Sequence, residues 1–379
     1  MKIDKKDYVL ILANGMPSKD CLAGIFELDQ AKALSKQGQK VIFLALDLRS
    51  IRRKRSYGIK KLCLDGVLCY NVSFPVGNVP LPLFKMFGLH ALKKAYKRIV
   101  CENGKPALVH AHFTDMGYLA GILKSKFNVK VILTEHNSAV NKVAVDKKTL
   151  NMAKIAYCNA NAIISVSNAL KNSIQRIYKT EPYVIPNIVN LETFADRTTR
   201  CEHKDFRFVS VGNLIEIKNY PVLIRAFSIA FKDRDGVSLD IIGDGPEYKK
   251  LKLLIEELGV GGKINLLGRK TRAEIAEVFY LSDAFVLLSK AETFGVSFIE
   301  AMACGLPVIS SRCGGPEDFV NTDNGFLVPV DDIESSVNAL SLMIKTKFDR
   351  HLIADFAVKN FSHEAISAKI LDVYNEIGD

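Results

Sequence analysis

The 379-residue sequence has eight cysteines (Cys21, Cys63, Cys69, Cys101, Cys158, Cys201, Cys304 and Cys313) but no C-x-x-C pair. Without that pair or any other zinc spacing, a structural zinc site is not expected. The cysteines lie scattered among apolar neighbours and read as small core residues of a reducing compartment. No apolar run approaches the roughly 18 residues that a membrane-spanning helix needs. The opening MKIDKKDYVLILANG passes from charges straight into a short strand-like run. It has neither the longer apolar core nor the cleavage site of a secretory signal, so a cytoplasmic protein is expected. No G-x-G-x-x-G follows the first strand and no G-x-x-x-x-G-K-S/T occurs, which argues against nicotinamide-type dinucleotide binding and a P-loop nucleotidase. There is no ribonucleoprotein motif, zinc finger or recognition helix, so nucleic acid is not an expected partner.

What is present is an ordinary globular composition, 48% hydrophobic and 25% charged. The length suggests two domains of roughly 150–200 residues each. The net charge of +11 is unevenly spread: residues 1–200 carry +18 and residues 201–379 carry −7. The most basic block, 51–100, has 11 basic residues against one acidic and contains RRKRSYGIKK (52–61) and LPLFKMFGLHALKKAYKRIV (81–100). The second piece mixes Phe, Leu and Met with Lys and Arg at helical spacing. That pattern suits a helix lying on an anionic membrane surface, and equally a solvated basic face.

Short apolar runs alternate with amphipathic segments throughout. Expected strands in the first half are 8–13, 40–47, 107–113, 129–136, 162–167 and 183–187; in the second they are 207–212, 237–245, 263–268, 284–289 and 306–311. Continuous Val/Ile/Leu runs separated by helices imply parallel sheets covered on both faces. The expected fold class is therefore α/β, with two doubly wound Rossmann-like domains in tandem. Their expected bounds are 1–190, a polar linker at 191–206, 207–360, and a C-terminal helix at 361–379 that packs back on the first domain. Ligands of such sheets bind beyond the C-terminal strand ends, and that rule selects the residues to weigh.

SVGNLIEIKNYPVLIRAF (210–227) ends a strand at Gly212, with Lys218 in the loop before a helix that opens on Tyr220 and Pro221. A lysine beside a helix N-terminus suits phosphate, because orphan amides and the helix dipole also attract anions. IIGDGPE (241–247) is a strand, a Gly-rich turn at Gly243, and a helix start. AETFGVSFIEAMACGLP (291–307) places Glu292 and Glu300 around Gly295, at a turn between the buried strand AFVLLS and a helix closed by Gly305. Gly295 allows backbone to approach a ligand. The amides of Phe294, Gly295, Val296 and Ser297 suit phosphate, while the two carboxylates suit neutral hydroxyls. A sugar nucleotide supplies both. Taken alone, Glu300 reads as well as a first-turn helix acid and Glu292 as a surface residue. His110 and His112 alternate on a strand, so one of them is expected to face the cleft; Glu135 and His136 end the next strand. DRD (233–235) sits in a charged turn and reads as solvated, so no metal is expected.

The string ETFGVSFIEAMACGLPVISSRCGGPEDFV (292–320) closely resembles the signature of retaining glycosyltransferases of the GT-B fold, in the large family four. AGIFELDQAKAL (23–34), LVHAHF (108–113), VILTEHNS (131–138), VIPNIVNLETF (184–194), VGNLIEIKNY (211–220) and GDGPE (243–247) match that family in order. The resemblance implies two domains facing each other across a cleft and a nucleotide-sugar donor, a UDP-sugar being favoured, with no cofactor. It implies that Glu292 holds hydroxyls of the donor sugar, Glu300 the ribose, and Phe294, Gly295 and Val296 the sugar or diphosphate. Lys218 would neutralise the departing diphosphate, which Gly24 also faces, and His112 would reach the donor sugar. Glu135 and His136 would face a saccharide or lipid-linked acceptor. Many relatives carry arginine after the glycine of VG where this chain has Asn213; Arg269 and Lys270 are the expected substitutes if Lys218 does not act alone. A sugar-nucleotide epimerase or phosphorylase on the same architecture, or a sugar-binding protein without activity, stays open at this point.

Overall fold

The structure, a computed structural model, describes residues 7–17, 23–48, 57–74, 76–77, 79–141, 145–194 and 204–378. It divides into two units: Met1–Ile188 together with His363–Asp379, and Val189–Ser362.

The first unit runs β1 (Val9–Ala13), α1 (Ile25–Lys36), β2 (Val41–Asp47), β3 (Gly58–Leu64), β4 (Val67–Ser73), α2 (Leu81–Asn103) and β5 (Leu108–His112). It continues through α3 (Phe113–Phe127), β6 (Lys130–Glu135), α4 (Lys147–Asn159), β7 (Ala162–Ser165), α5 (Asn168–Ile177) and the short β8 (Tyr183–Val184). Among the described residues these strands form one sheet in the order β3-β4-β2-β1-β5-β6-β7-β8. Every residue of β1, β2 and β5 is buried, as unbroken apolar runs require when helices cover both faces.

One pairing departs from the expected all-parallel pattern. β3 runs antiparallel to β4, with Leu64 opposite Val67. Asp65 and Gly66 form the turn, both at positive φ (48° and 82°), the two-residue geometry that Asp-Gly favours. The exposed Lys60 and Lys61 lie on this outermost strand, where charge discourages further pairing. Residues 52–56 of the basic run lie outside the described residues.

The second unit begins before its first strand. Glu192–Phe194 forms a short 3-10 turn whose Phe194 is fully buried, 5.9 Å from the ring of Phe279. The expected linker at 191–206 therefore starts inside this core, and residues 195–203 lie outside the described residues. Then come β9 (Phe206–Val211), α6 (Tyr220–Phe231), β10 (Val237–Ile242), α7 (Tyr248–Glu257), β11 (Ile264–Gly268) and α8 (Arg272–Tyr280). They are followed by β12 (Ala284–Leu287), α9 (Val296–Ala303), β13 (Val308–Ser311), β14 (Gly325–Val328), α10 (Ile333–Lys345) and α11 (Arg350–Phe361). The described strands form a parallel sheet in the order β11-β10-β9-β12-β13-β14. The last helix, α12 (His363–Gly378), belongs to the first unit. Its Ile366, Ile370, Val373 and Tyr374 share one face and join the core of β1, β2 and α1.

Two facts of topology set the site. In the first sheet β1 lies between β2 and β5, and in the second β9 lies between β10 and β12. The chain order reverses at both places, and there the loops diverge to leave a crevice. In the second unit the loops after β9 and β10 touch backbone to backbone. Leu214 N–H donates to Asp244 O (3.0 Å) and Glu247 N–H to Leu214 O (3.1 Å). Gly243 has φ 153°, and a Cβ there would lie 1.9 Å from Gly212 O. Gly243→Ala is expected to cost more than about 2 kcal/mol of stability, since neither backbone can retreat. A urea titration unchanged from the parent would refute that packing role.

Candidate active site

The β9–β12 crevice collects the expected donor-side residues of the second unit. Lys218 ends the turn Glu216–Lys218, and Asn219 at φ 55° redirects the chain into α6, which carries Pro221 in its first turn. From the other side the loop after β12 is stitched to it, Lys290 N–H donating to Ile217 O at 2.8 Å. Lys218 Nζ thereby reaches Glu292 Oε1 at 2.5 Å. Ser289 Oγ donates to the same oxygen at 2.7 Å. The lysine side chain is 20% exposed and the glutamate 10%, so the pair is largely withdrawn from water and either charge left alone would be costly.

Glu292 is also fixed through its backbone. Its N–H donates to Cys313 O (2.8 Å) and its carbonyl accepts from Gly315 N–H (3.0 Å). Gly315 has no room for a side chain, because a Cβ would sit 2.4 Å from Phe294 Cα. The Gly-Gly-Pro segment at 314–316 is thus a backing plate for the ETFG loop. Gly295, at φ 97°, caps α9, where the first amides are free of intrahelical partners. Phe294 is buried with its ring near Phe319 and Phe361, at 5.8 and 5.7 Å. Its side chain is core, and what it offers a ligand is backbone.

Glu300 and Glu292 are both buried, which corrects the surface reading of Glu292. Glu300 lies beyond the first turn of α9, so it is not a dipole acid either. Its carboxylate stands 3.7 Å from Arg272 Nε, a cation at the start of α8 with no motif to announce it in sequence. Asn213 is exposed on the loop after β9. Arg269 is exposed and lies 3.9 Å from Asp244, beside β10 rather than β12; Lys270 follows it, half-buried.

The β1–β5 crevice of the first unit has a different chemistry. Gly24 caps α1 at φ 85°, and a Cβ there would lie 1.9 Å from Gly15 O. His110 and His112 do not point to opposite faces, as sequence reading had it. Residues i and i+2 of a strand share a face, and the two rings stack 4.6 Å apart. His112 Nδ1 meets His136 Nε2 at 3.0 Å, and Gln30 Nε2 lies 3.1 Å from His110 Nδ1 and 3.4 Å from His112 Nε2. Burial holds His110 and His136 down at about 3, and His112 well below the usual imidazole range. All three rings are neutral at physiological pH.

Glu135 is fully buried and saturated. Its Oε1 accepts from the N–H groups of His136 and Asn137, both at 3.0 Å. Its Oε2 accepts from Thr114 Oγ1 (2.8 Å) and Tyr157 Oη (2.9 Å). With four bonds inside the protein it clamps the loop after β6 and leaves no lone pair for a ligand, contrary to the acceptor-facing role expected from sequence. Burial still raises its pKa from the ordinary carboxylate value.

Sequence reading passed over Glu27, which lies in the first turn of α1 and is 1% exposed. Its Oε1 has no hydrogen-bond partner, and burial, with Asp115 and Asp29 nearby, pushes its pKa up to about 7. Asp115, at the start of α3, is pushed up to about 6 by burial. The folded pKa of Glu27 stands above the 4.5 of the free group, so folding is least hindered below pH 4.5 and stability is lost as pH rises through 7. Glu27→Gln should match the parent near pH 4.5 and exceed it by about 3 kcal/mol at pH 8. Parallel urea titrations at the two pH values check this, and a gap that does not widen with pH contradicts it.

Among the described residues no group of three or more His, Cys, Asp or Glu is arranged to hold a metal ion. No described helix is long and apolar enough to cross a membrane.

Comparison with known proteins agrees with this geometry. The family profile for glycosyl transferases group 1 matches residues 193–360, and that for glycosyltransferase family 4 matches residues 24–193. An uncharacterized glycosyltransferase of Methanocaldococcus jannaschii is 30% identical over 312 residues, covering 80% of this chain and 85% of its own. The sucrose-phosphate synthase of Thermosynechococcus elongatus has a similar fold, with a TM-score of 0.81 at 21% identity, covering 98% of this chain and 99% of that one. The Anabaena protein HepE, solved in complex with UDP and glucose, has a TM-score of 0.74 at 18% identity over 98% of this chain and 100% of its own.

Proposed function

The chain belongs to the group 1 (family 4) glycosyltransferases of the GT-B fold, and we propose that it is a retaining enzyme using a nucleotide-sugar donor. The transferred group is a hexose or N-acetylhexosamine, the favoured donor a UDP-sugar, and the acceptor a saccharide or lipid-linked saccharide in bacterial polysaccharide synthesis. The observation that carries this reading is the Lys218–Glu292 pair at the β9–β12 crevice, beside the Gly295 cap of α9. HepE, which shares the fold, is solved with UDP and glucose, a ligand set with the same two kinds of group.

The chemistry follows from what each residue can exchange. Without donor, Lys218 and Glu292 satisfy each other. A diphosphate entering at the α9 amides offers Lys218 a second anion, and the sugar hydroxyls offer Glu292 a donor in return. Both side chains then stay partnered, so the pair is preorganised for a ligand carrying phosphate and hydroxyls together. As the sugar–phosphate bond breaks, negative charge grows on the diphosphate beside Lys218 and the helix amides, and electrostatic stabilisation there speeds departure. Glu300, beside Arg272, is assigned to the ribose. Glu292 and Glu300 each face a cation, at 2.5 and 3.7 Å. They therefore do not form the free acid–base pair of a hydrolase, and a front-face route with retention is the proposed course. No metal or cofactor is needed in it.

Lys218→Ala and Glu292→Gln should each lower kcat/KM roughly 10²–10³-fold in a sugar-transfer assay run with EDTA. A thermal-shift screen of nucleotide sugars identifies the donor for it. Undiminished transfer by either variant would sink the assignment. Turnover of donor without acceptor would favour an epimerase or phosphorylase instead.

The basic first unit is proposed to lie on an anionic membrane surface. The start of α2 exposes Leu83 (41%) and Met86 (53%) beside Lys85, with Lys94, Lys97 and Arg98 exposed further along the same helix. Near its end a cavity of about 480 Å³ is lined by Lys97, Lys105 and Lys126 over Tyr96 and Phe127. Vesicle sedimentation should show binding that requires anionic lipid and weakens as salt rises; equal binding to neutral vesicles would count against the electrostatic version.

A further inference from the structure

The lysine-lined cavity at the end of α2 lies at the opposite edge of the first sheet from the crevice. The loop after α2 feeds β5, and Asn128 precedes β6. Both strands enter the sheet here and leave it at the crevice, about 13 Å of strand away. Tyr96 and Lys97 come from α2, Lys126 and Phe127 from the end of α3, and Lys105 and Asn128 from the loops that follow the two helices.

Those loops are fixed. Tyr8 Oη donates to Gly104 O at 2.7 Å and Ala107 N–H donates to Tyr8 O at 3.0 Å, one on each side of Lys105. Asn128, at φ 47°, closes α3 with its N–H on Lys124 O at 2.9 Å. The floor is the ring pair of Tyr96 and Phe127, 4.9 Å apart.

The charges around this floor are unbalanced. Lys93 stands near Lys126 and Lys97, and burial first, then those two charges, lower its pKa. Glu102, the acid of this stretch, is turned to the β3–β4 hairpin. It accepts from Lys61 Nζ (2.8 Å), Arg98 Nε (2.8 Å) and Tyr70 Oη (2.7 Å). Among the described residues no carboxylate pairs with Lys93, Lys97, Lys105 or Lys126. The carbonyl ends of α2 and α3 meet at this edge, but two helix dipoles bring only about one negative charge between them. Tyr96 is 3% exposed, and its hydroxyl has no hydrogen-bond partner among the described residues. It too has a proton to give.

A ligand that satisfies this lining needs several acceptor oxygens and more than one negative charge on a small group. A phosphate monoester has both, being close to a dianion at neutral pH with three terminal oxygens, whereas a diester or a carboxylate brings a single charge. We propose that the cavity is a binding site for a phosphate monoester, separate from the donor crevice, with Lys97, Lys105, Lys126 and the Tyr96 hydroxyl as its donors. The monoester belongs to a lipid headgroup or to a soluble metabolite, and the chemistry that recognises it is the same. The site needs neither the glycosyltransferase reading nor a diffuse contact with a membrane, which any anionic lipid satisfies.

Glycerol 3-phosphate, titrated calorimetrically into the full chain, should bind at one saturable site, and dimethyl phosphate at least about tenfold more weakly. Lys105→Gln/Lys126→Gln should weaken glycerol 3-phosphate at least about tenfold, and Lys218→Ala should leave it unaltered. Both substituted lysines are exposed, and relief of their repulsion should hold the ligand-free melting temperature at or above that of the parent. A lower melting temperature with unaltered binding would assign the lysines to the helix ends and overturn the proposal. Binding lost in Lys218→Ala instead would put the anion in the donor crevice, with the same result. Vesicles separate the two sources. Preference for phosphatidic acid over phosphatidylglycerol at matched surface charge, lost in the lysine variant, assigns the monoester to a lipid. Glycerol 3-phosphate binding without that preference assigns it to a soluble molecule. Absence of both defeats this proposal and leaves the membrane reading to its own test. Glycerol 3-phosphate binding by a protein that ignores every vesicle supports this proposal and defeats the membrane reading alone.

Discussion

Parallel strands cannot be joined by tight turns, and the rest of this molecule follows from that constraint. Every connection between parallel neighbours must cross over, mostly through a helix, and each strand of the parallel set releases its chain at the same edge of the sheet. Where the strand order reverses, two loops that are distant in sequence leave from adjacent strands. In the second unit these are the loops after β9 and β12, and their separation along the chain is what allows Lys218 and Glu292 to meet. In the first unit the same reversal sets α1, through Gln30, beside β5 and its histidines.

Loops crowded along one edge have to solve a packing problem, and this chain solves it with backbone. Gly243 lies against Gly212, Gly315 against Phe294 and Gly24 against Gly15, each where a Cβ would meet another main chain. Such contacts fix the loops without spending side chains, which leaves the polar groups at the crevice free to be paired with one another. The two units then differ in how they hold polar groups. The second neutralises buried acids with cations, Lys218 for Glu292 and Arg272 near Glu300. The first relies on hydrogen bonds and burial instead: its histidines are neutral by burial, Glu135 is held by four hydrogen bonds, and Glu27 is pushed toward its protonated form. A charged diphosphate suits the former, and neutral hydroxyls the latter.

Most of the strands were legible because fully buried parallel strands are unbroken apolar runs, as in YVLILA and AFVLLS. The β3–β4 hairpin escaped notice although its Asp65-Gly66 turn is a recognisable signal, since the lysines around it suggested a charged surface instead. Phe194 was hidden in a polar stretch that reads as linker. Lys218, Glu292 and Gly295 stood out because each broke the pattern of its segment. Gln30, Tyr374 and Arg272 did not: each is unremarkable in a helix, and each matters only through a partner at least 28 positions away along the chain.

The sequence by itself determined which segments are strands, which loops hold glycine, and which residues have the chemistry for phosphate and hydroxyls. Those properties are local, written in hydrophobic period, backbone freedom and side-chain type. Only the tertiary structure decided that Glu292 is paired with Lys218, that Glu135 is spent on its own loop, and that His110 and His112 stack on one face with His136 next in line. Strand order and burial settle these partnerships, because a polar group away from water takes whatever partner the fold brings within reach, and sequence distance says nothing about which that is.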